Sequence, residues 1–423
     1  MKIAMFTNTF TPHVGGVAES VKRLTEDCRN AGHDVCVIAP EFADMPENEH
    51  DVVRVPAIQN FNGSDFSVSL PAPLTLSHEL DRFAPEIIHT HHPYLLGDTA
   101  LRVSARRNLP LVFTYHTMYE DYTHYVPVDS PQLKRFVIEL ATGYANLCDH
   151  LIAPSESIAV ILQERGVHTP ITVVPTGVDC DQFASGDGVR ARQQANIPED
   201  AFVIGHVGRL AEEKNLLFLA KAVALFLQQA SHAYFLIVGE GSCIQELETI
   251  FEQAGVRDQI YFAGVQKAPE LMDYYHAMDL FVFASKTETQ GMVLAEAMSA
   301  GAPVIALDAP GAREIVQDGK NGRLLSTEDV EVFAETLAEA AALSQQEIKK
   351  WQQAALKTAQ RFSRAVSLKK ILALYEEVLT VTHKSRGLED DTWETLGRAV
   401  KQEWEIWSNR LSAGLQALSE EED

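Results

Sequence analysis

The sequence predicts an α/β protein with two doubly wound parallel-sheet domains facing a cleft, followed by a helical tail. Short apolar runs rich in β-branched residues alternate with longer helical stretches, which is the pattern of βα units. These runs form two series, separated by the stretch Val174 to Asp200, where prolines and glycines interrupt the periodicity. A length of 423 residues also exceeds one ordinary core and fits two domains of roughly 200 residues each.

Each series contributes five predicted strands. In the first half they are Lys2–Phe6, Val35–Ala39, Ile87–His89, Leu111–Tyr115 and Leu151–Ala153; in the second half they are Val203–Val207, Phe235–Val238, Ile260–Ala263, Leu280–Ala284 and Val304–Leu307. We therefore expect domains at residues 1–178 and 179–363. A helix at about 364–382 is able to return to the first domain, and residues 385–423 form a separate helical tail.

Composition excludes several classes of function. The chain has 35 basic and 59 acidic residues, a net charge of −24, which argues against nucleic acid as a partner. We read neither a signal peptide nor an apolar run long enough to span a membrane. The five cysteines are scattered and odd in number, as suits a reducing cytoplasm.

The tail carries a stripe of large apolar side chains at helical spacing. Its members are Trp393, Leu396, Val400, Trp404, Trp407, Leu411, Leu415 and Leu418. A stripe of this kind packs against the rest of the chain or a second subunit, or it lies in a membrane interface, where tryptophan is favoured. The sequence leaves these alternatives open, including homo-oligomers formed through the tail.

The segment from Lys286 to Ala302 contains two glutamates around a turn that opens a helix. Glu288 precedes the turn Thr289-Gln290-Gly291, and Glu296 follows one helical turn after Met292. Backbone N–H groups at a helix start favour a phosphate. We therefore expect this segment to hold a nucleotide-activated sugar, with one carboxylate at the sugar and the other at the ribose.

Two further turns follow predicted strands and supply groups for the same ligand. Gly15 and Gly16 precede a helix and let the backbone approach a ligand closely. Arg209 and Lys214 flank another helix start, where they are able to clamp a diphosphate. Such cations would stabilise the charge that builds on a departing nucleoside diphosphate, without a metal.

A third group of side chains follows the strand Leu111–Tyr115. His116 should project from the end of this strand, close to tyrosines such as Tyr119 and Tyr122, which suit sugar stacking or an acceptor with an apolar part. The cluster His89, His91 and His92 does not predict a metal site, because neighbouring strand residues point to opposite faces. Asp179-Cys180-Asp181 lies outside a strand end, and we interpret it as structural.

Together these motifs resemble glycosyltransferase family 4 of the GT-B fold over roughly residues 1 to 380. The matching segments are Gly15-Gly16-Val17, Val174-Pro175-Thr176-Gly177-Val178-Asp179, Gly208-Arg209-Leu210 with Lys214-Asn215, and Glu288-x7-Glu296. The resemblance implies Rossmann-like domains, the first binding the acceptor and the second a nucleotide sugar. It also implies transfer with retention of configuration, without a required metal or other cofactor.

The resemblance assigns roles to individual residues. Glu288 would bind the transferred hexose, Arg209 and Lys214 the diphosphate, and Glu296 the ribose, while Gly15 and Gly16 belong to the same donor site. The backbone of Gln290, Gly291, Met292 and Val293 would contact sugar and phosphate. His116, Arg209, Lys214 and Glu288 are thereby expected to be the catalytic residues.

The segments YHTMYEDYTHY and HTHHPYLLG are similar to those of the bacterial enzymes that glycosylate diacylglycerol. The similarity implies transfer of a hexose, first of all glucose from a uridine diphosphate donor, to a lipid hydroxyl. His116, Tyr119 and Tyr122 would then contact the acceptor, at the inner face of the plasma membrane. A soluble acceptor such as a polyol, a sugar phosphate or a glycan remains the alternative, and an epimerase, a hydrolase or a non-catalytic scaffold are further ones.

Overall fold

The computed structural model describes residues 1–13, 15–46, 48–58, 68–69, 73–121, 130–385 and 392–418. The chain forms two compact units. Unit 1 comprises Met1–Pro175 and Ser367–Asp423, and unit 2 comprises Thr176–Val366. The crossing at Pro175 lies in the stretch where prolines and glycines interrupt the sequence periodicity.

The strands, numbered along the chain, belong to unit 1 up to β9 and to unit 2 from β10. They are β1 Lys2–Phe6, β2 Asp34–Pro40, β3 Val52–Val55, β4 Ala57–Ile58, β5 Val68–Ser69, β6 Ile87–Thr90, β7 Leu111–Thr114, β8 His150–Ala153, β9 Ile171–Val173, β10 Phe202–Val207, β11 Ala233–Val238, β12 Ile260–Gly264, β13 Leu280–Phe283, β14 Val304–Leu307 and β15 Gly322–Leu325.

The helices α1 to α5, α14 and α15 lie in unit 1, except for the first turn of α14, and the others lie in unit 2. They are α1 Gly16–Asn30, α2 Pro73–Phe83, α3 Leu96–Arg107, α4 Pro131–Asn146, α5 Glu156–Glu164, α6 Cys180–Phe183, α7 Gly188–Gln194, α8 Leu216–Leu227, α9 Ile244–Gln253, α10 Glu270–Ala277, α11 Met292–Ser299, α12 Val330–Ala341, α13 Gln345–Gln360, α14 Arg364–Ser385 and α15 Thr392–Leu418. Among the described residues, no helix is both long and apolar enough to cross a bilayer.

Each unit is built on one parallel sheet. Unit 1 has seven strands in the order β3-β2-β1-β6-β7-β8-β9, and unit 2 has six in the order β12-β11-β10-β13-β14-β15. The central strands are buried and mostly apolar; Ile3 to Phe6 of β1 are fully buried, as a sheet covered on both faces requires. The predicted fold class, two parallel-sheet Rossmann-like domains with helices, is confirmed. All ten predicted strands are present; β3, β9 and β15 of the two parallel sheets and the short antiparallel pair β4 and β5 were not predicted.

Helix α14 returns the chain to unit 1. Ile371, Leu374, Tyr375 and Val378 are buried in the core of this unit. The Tyr375 hydroxyl lies 2.7 Å from Nδ1 of His89 on β6. Helix α14 therefore packs as a layer against the sheet of unit 1, the domain to which the sequence analysis expected it to return.

Helix α15 packs on α3 and α4 within unit 1. The tryptophan stripe does not make this contact. Its described members Val400, Trp404, Trp407 and Leu411 are all more than half exposed, so these four do not pack against the rest of the chain, which was one of the alternatives that the sequence left open. Helix α15 is held instead by the opposite face, where Ile406 is buried.

Four histidines lie together in the interior of unit 1. His89 contacts Thr114 as well as Tyr375, and Nδ1 of His92 accepts the backbone N–H of Asn8. His91 lies 2.9 Å from the Nε2 atom of His116. Burial lowers the pKa of His89 and His92 to about 3 and that of His116 to about 4, and it lowers the pKa of His91 as well. All four rings are therefore neutral at neutral pH.

We expect the free energy of unfolding to fall steadily between about pH 6.5 and about pH 4. The unfolded chain takes up protons at these histidines below about pH 6.5, whereas the folded chain, with its lowered pKa values, does not. Each buried histidine then lowers the free energy of unfolding by up to about 1.4 kcal/mol for each unit by which the pH falls. Urea unfolding at several pH values measures the slope. The exposed His232→Gln change should leave this slope as it is, and constant stability over the window would contradict the neutral cluster.

Candidate active site

The predicted donor segment forms the loop after β13 and the start of α11. Gly291 adopts a left-handed conformation, with φ at 67°, directly before Met292, and no side chain caps the helix there. A Cβ atom at Gly311 would lie 2.8 Å from the Cβ of Glu288, so a second glycine lets a neighbouring loop pack closely on this turn. The turn thus presents the first N–H groups of α11 without a competing side chain, as phosphate binding requires.

Lys214 and Glu288 form an ion pair across this loop. The Lys214 Nζ atom lies 2.5 Å from Oε1 of Glu288, and both side chains are mostly buried. Lys214 ends the short turn Glu212–Lys214 that follows β10, and β10 pairs with β13 in the sheet. The structure therefore brings together the two charged residues that the sequence assigned to the diphosphate and to the sugar.

The hydroxyls of Ser285 and Thr287 hold these two turns against each other. Both donate to the carbonyl oxygen of Glu213, at 3.3 and 3.2 Å. Arg209 lies near the same turn, 3.3 Å from a carboxylate oxygen of Glu213, with its side chain half exposed. Arg209 is thus placed on the turn of Lys214, with its guanidinium partly in solvent.

Two further predicted donor residues, Glu296 and Gln290, also lie in this part of unit 2. Glu296 stands on α11, where its Oε2 accepts the hydroxyl of Tyr275 at 2.9 Å. The side chain of Gln290 is buried and bonds both backbone groups of Thr176, accepting from its N–H at 2.6 Å and donating to its carbonyl at 2.8 Å. The side chain of Gln290 therefore fastens this turn to the first residue of unit 2.

His206, which the sequence analysis did not single out, lies at the end of β10. Its Nδ1 donates to the carbonyl of Val282, and its Nε2 is buried with no hydrogen-bond partner in the described structure. Burial lowers the pKa of His206 to about 4. A Cβ atom at Gly208 would lie 3.4 Å from Nε2, so the imidazole stands directly beneath the turn that carries Arg209.

In unit 1, Gly15 and Gly16 form the start of α1. Gly15 precedes the helix in an extended conformation, no side chain caps it, and a Cβ atom at Gly16 would meet nothing within 4 Å. The helix start therefore has no capping side chain, and the ring of His13 lies beside it, since a Cβ atom at Gly15 would be 3.2 Å from Nε2 of His13. There is room for a side chain at position 16, so packing alone does not require glycine there.

The acceptor-side residues also lie in unit 1. His116 follows β7 and is half buried, with its ring stacked on His91 at 5.2 Å between centroids. Tyr119 is buried against Tyr94 and Tyr115, and its hydroxyl has no partner among the described residues. Tyr122 lies outside the described residues. The roles of His116 and the two tyrosines stay predictions.

Asp179 has a structural role in unit 2. Its side chain accepts the N–H of Gln182 at the start of α6 and lies 3.4 Å from Arg364. Over the described part of the chain, no three acidic, histidine or cysteine side chains are grouped as a metal site would need.

Comparison with known proteins gives the family of the chain. Residues 14–182 match the family described as Glycosyltransferase Family 4, and residues 189–358 match Glycosyl transferases group 1. The alpha-monoglucosyldiacylglycerol synthase of Acholeplasma laidlawii is 30% identical over 338 residues, 76% of this chain and 84% of that protein. The synthase of the same name from Streptococcus pneumoniae is 28% identical over 77% of this chain and 75% of its own length.

Other relatives carry different names. A GDP-mannose-dependent alpha-mannosyltransferase of Corynebacterium glutamicum is 30% identical over 81% of this chain and 80% of its own length. Among solved structures, Anabaena HepE in complex with UDP superimposes with a TM-score of 0.69 and 22% identity, covering 89% of this chain and 100% of its own. The two parallel-sheet units therefore belong to a known architecture, and the chain is a member of glycosyltransferase family 4, a GT-B enzyme that transfers a sugar from a nucleotide sugar.

Proposed function

We propose that the protein transfers glucose from UDP-glucose to a lipid hydroxyl such as that of diacylglycerol, with retention of configuration and without a metal. The observation that carries the donor half of this proposal is the Lys214–Glu288 pair beside the open start of α11. The acceptor half is supported by the two relatives named alpha-monoglucosyldiacylglycerol synthase and by the segment around His116.

In the proposed reaction, the bond between the anomeric carbon and the phosphate oxygen breaks, and the acceptor oxygen bonds to the same carbon from the same face. The departing phosphate oxygen takes the proton of the acceptor hydroxyl. Lys214 and Arg209 stabilise the negative charge that grows on the diphosphate, together with the N–H groups at Gly291, Met292 and Val293. No protein nucleophile is required.

The carboxylates position the donor in this scheme. Glu288, oriented by Lys214, accepts hydrogen bonds from hydroxyls of the transferred hexose, and Glu296, oriented by Tyr275, accepts them from the ribose. Neither carboxylate transfers a proton. His116 is proposed to serve the acceptor side as a neutral imidazole, since burial lowers its pKa to about 4.

Transfer of mannose from GDP-mannose is the second candidate. It is supported by the Corynebacterium glutamicum relative, whose identity and coverage are similar to those of the two glucosyldiacylglycerol synthases. The difference between the candidates concerns the base and the hexose, whereas the ion pair and the helix start serve any nucleoside diphosphate.

A donor-by-acceptor screen tests the proposal. UDP-glucose and GDP-mannose are offered with diacylglycerol in vesicles or with water-soluble alcohols and sugar phosphates, and the anomeric configuration of the product is determined by NMR. We expect an α-glucoside of diacylglycerol from UDP-glucose, formed equally well with a metal chelator. A β-linked product would overturn retention, a mannoside would establish the second candidate, and transfer only to soluble acceptors would overturn the lipid assignment.

We expect Lys214→Ala to lower turnover by about 100-fold, because one charge-stabilising group next to the departing diphosphate is lost. Initial rates with saturating donor measure this effect. Lys221→Ala is the matched control, since Lys221 is an exposed lysine on the neighbouring helix α8. If Lys214→Ala and the control turned over equally fast, Lys214 would have no part in the reaction.

Glu288→Gln separates positioning from proton transfer. The amide keeps the shape of the side chain but loses the charge, so we expect donor binding to weaken by about tenfold or more, with a smaller effect on turnover. Calorimetric titration with the nucleotide sugar and steady-state rates measure the two effects. Glu331→Gln, at an exposed site on α12, is the control. Intact donor binding with abolished turnover would instead assign acid–base chemistry to Glu288.

A further inference from the structure

Helix α15 exposes a row of large apolar side chains. Val400, Trp404, Trp407 and Leu411 are 63, 74, 57 and 65% exposed. At 100° per residue, these four positions fall within an arc of about 60° on one side of the helix. We call this row the exposed stripe. Both family matches end before residue 392, so the stripe lies outside the part of the chain that defines the family.

The orientation of α15 is fixed by the other side of the helix, about 150° around from the stripe. There, Ile406 and Ala413 are fully buried, and the Asn409 amide donates to the carbonyl of Leu140 on α4. Because this face is packed into unit 1, the stripe has to point away from the core.

Ion pairs beside the packed face of α15 also hold the helix in place. Glu403 pairs with Arg102 at 2.5 Å, and Arg410 pairs with Asp98, both partners being on α3. The guanidinium of Arg410 also lies 5.4 Å from the ring centre of Trp407. The indole of Trp407 is therefore supported on one side while more than half of it stays in solvent, so the stripe is a fixed surface.

The size of the exposed stripe bears on what covers it. The two indoles leave about 300 Å² in solvent, and the whole stripe is on the order of 500 Å². A stable dimer buries roughly 800 Å² on each partner. These four described side chains by themselves expose less area than such an interface buries, whereas insertion into a bilayer needs no matching protein surface.

The net charge of the helices that pack together here also favours a lipid bilayer as the partner of the exposed stripe. The side chains of α3 sum to +2, those of α4 to +1 and those of α15 to zero. These three packed helices therefore carry a net charge of +3 in a chain whose total is −24. A group of helices with a net positive charge in an otherwise acidic protein is attracted by an anionic lipid surface over about a Debye length, and the exposed tryptophans lie on one of these helices.

We propose that the exposed stripe docks the enzyme on an anionic bilayer, with Trp404 and Trp407 inserted at the boundary between headgroups and acyl chains. Indole rings favour this boundary because they are apolar yet carry one N–H donor. The inference deepens the proposed function, since it rests on a lipid acceptor that the enzyme has to reach. It assigns the membrane contact to α15, outside the donor and acceptor residues.

The test uses the full chain and the double change Trp404→Ser with Trp407→Ser. Flotation with vesicles of phosphatidylcholine mixed with phosphatidylglycerol measures the bound fraction, and vesicles of phosphatidylcholine alone show the contribution of charge. We expect the double variant to bind the mixed vesicles about tenfold more weakly or worse. Brominated acyl chains should quench the fluorescence of the unchanged protein and quench the variant far less.

The matched control is Val332→Ser with Leu356→Ser, two exposed apolar residues on α12 and α13 of unit 2, at 41 and 43% exposure. It should bind vesicles as the unchanged protein does. Unaltered binding of the tryptophan variant would overturn the proposal. So would a dimer of the unchanged protein that the tryptophan variant converts to a monomer, because the stripe would then join two copies.

Activity distinguishes this inference from the proposed function. With acceptor dispersed in detergent, the tryptophan variant should keep the rate of the unchanged protein, while its rate on vesicles falls with its binding. If no lipid is glycosylated with any donor but vesicle binding still depends on the two tryptophans, the proposed acceptor is wrong and the docking surface stands. If lipid is glycosylated but vesicle binding does not depend on the tryptophans, the proposed acceptor stands and the docking surface is wrong.

Discussion

The ion pair between Lys214 and Glu288 is the interaction on which the proposed donor site depends. It joins the turns that follow β10 and β13, two strands that are neighbours in the sheet. Parallel strands place their carboxyl ends at one edge, so residues 74 positions apart in sequence meet without any long connecting structure. In a largely buried setting, each charge needs the other, since an unpaired charge there would be costly. The pair therefore fixes both turns and, with them, the approach to the start of α11.

Much of the fold was predictable because central strands of parallel sheets are buried on both faces and read as apolar runs. In the two parallel sheets, the strands that escaped prediction are short ones at the sheet edges. Arg54 and Arg323 interrupt β3 and β15, and β9 has only three residues, all partly exposed. An edge strand has less to bury, so its sequence carries a weaker signal, and its pairing is decided by the sheet already in place.

The charged residues of the proposed donor site can be found from sequence patterns, but the contacts that hold them in place cannot. Glu288, Lys214 and Gly291 follow strands or open helices, so local pattern finds them. The hold of Gln290 on Thr176 and the hydroxyl that Tyr275 gives to Glu296 join residues distant in sequence, and no periodicity encodes such pairs. His206 was hidden for another reason. It occupies a buried position in β10, where an apolar residue is the ordinary expectation, and only its Nε2 atom, which lacks a partner in the described structure, marks it as unusual.

The tail shows where the hydrophobic pattern misleads. Periodicity identifies the helix and the side on which the tryptophans lie, but a soluble domain is expected to bury that side. Instead, α15 buries the smaller Ile406 and Ala413 and fixes itself with Asn409, Glu403 and Arg410. Polar contacts of defined geometry thus override the larger apolar face, which they would not do if burying the tryptophans in the protein gained more free energy. Two indoles kept in solvent by such a set of contacts are best explained by a surface that removes them from water in another phase.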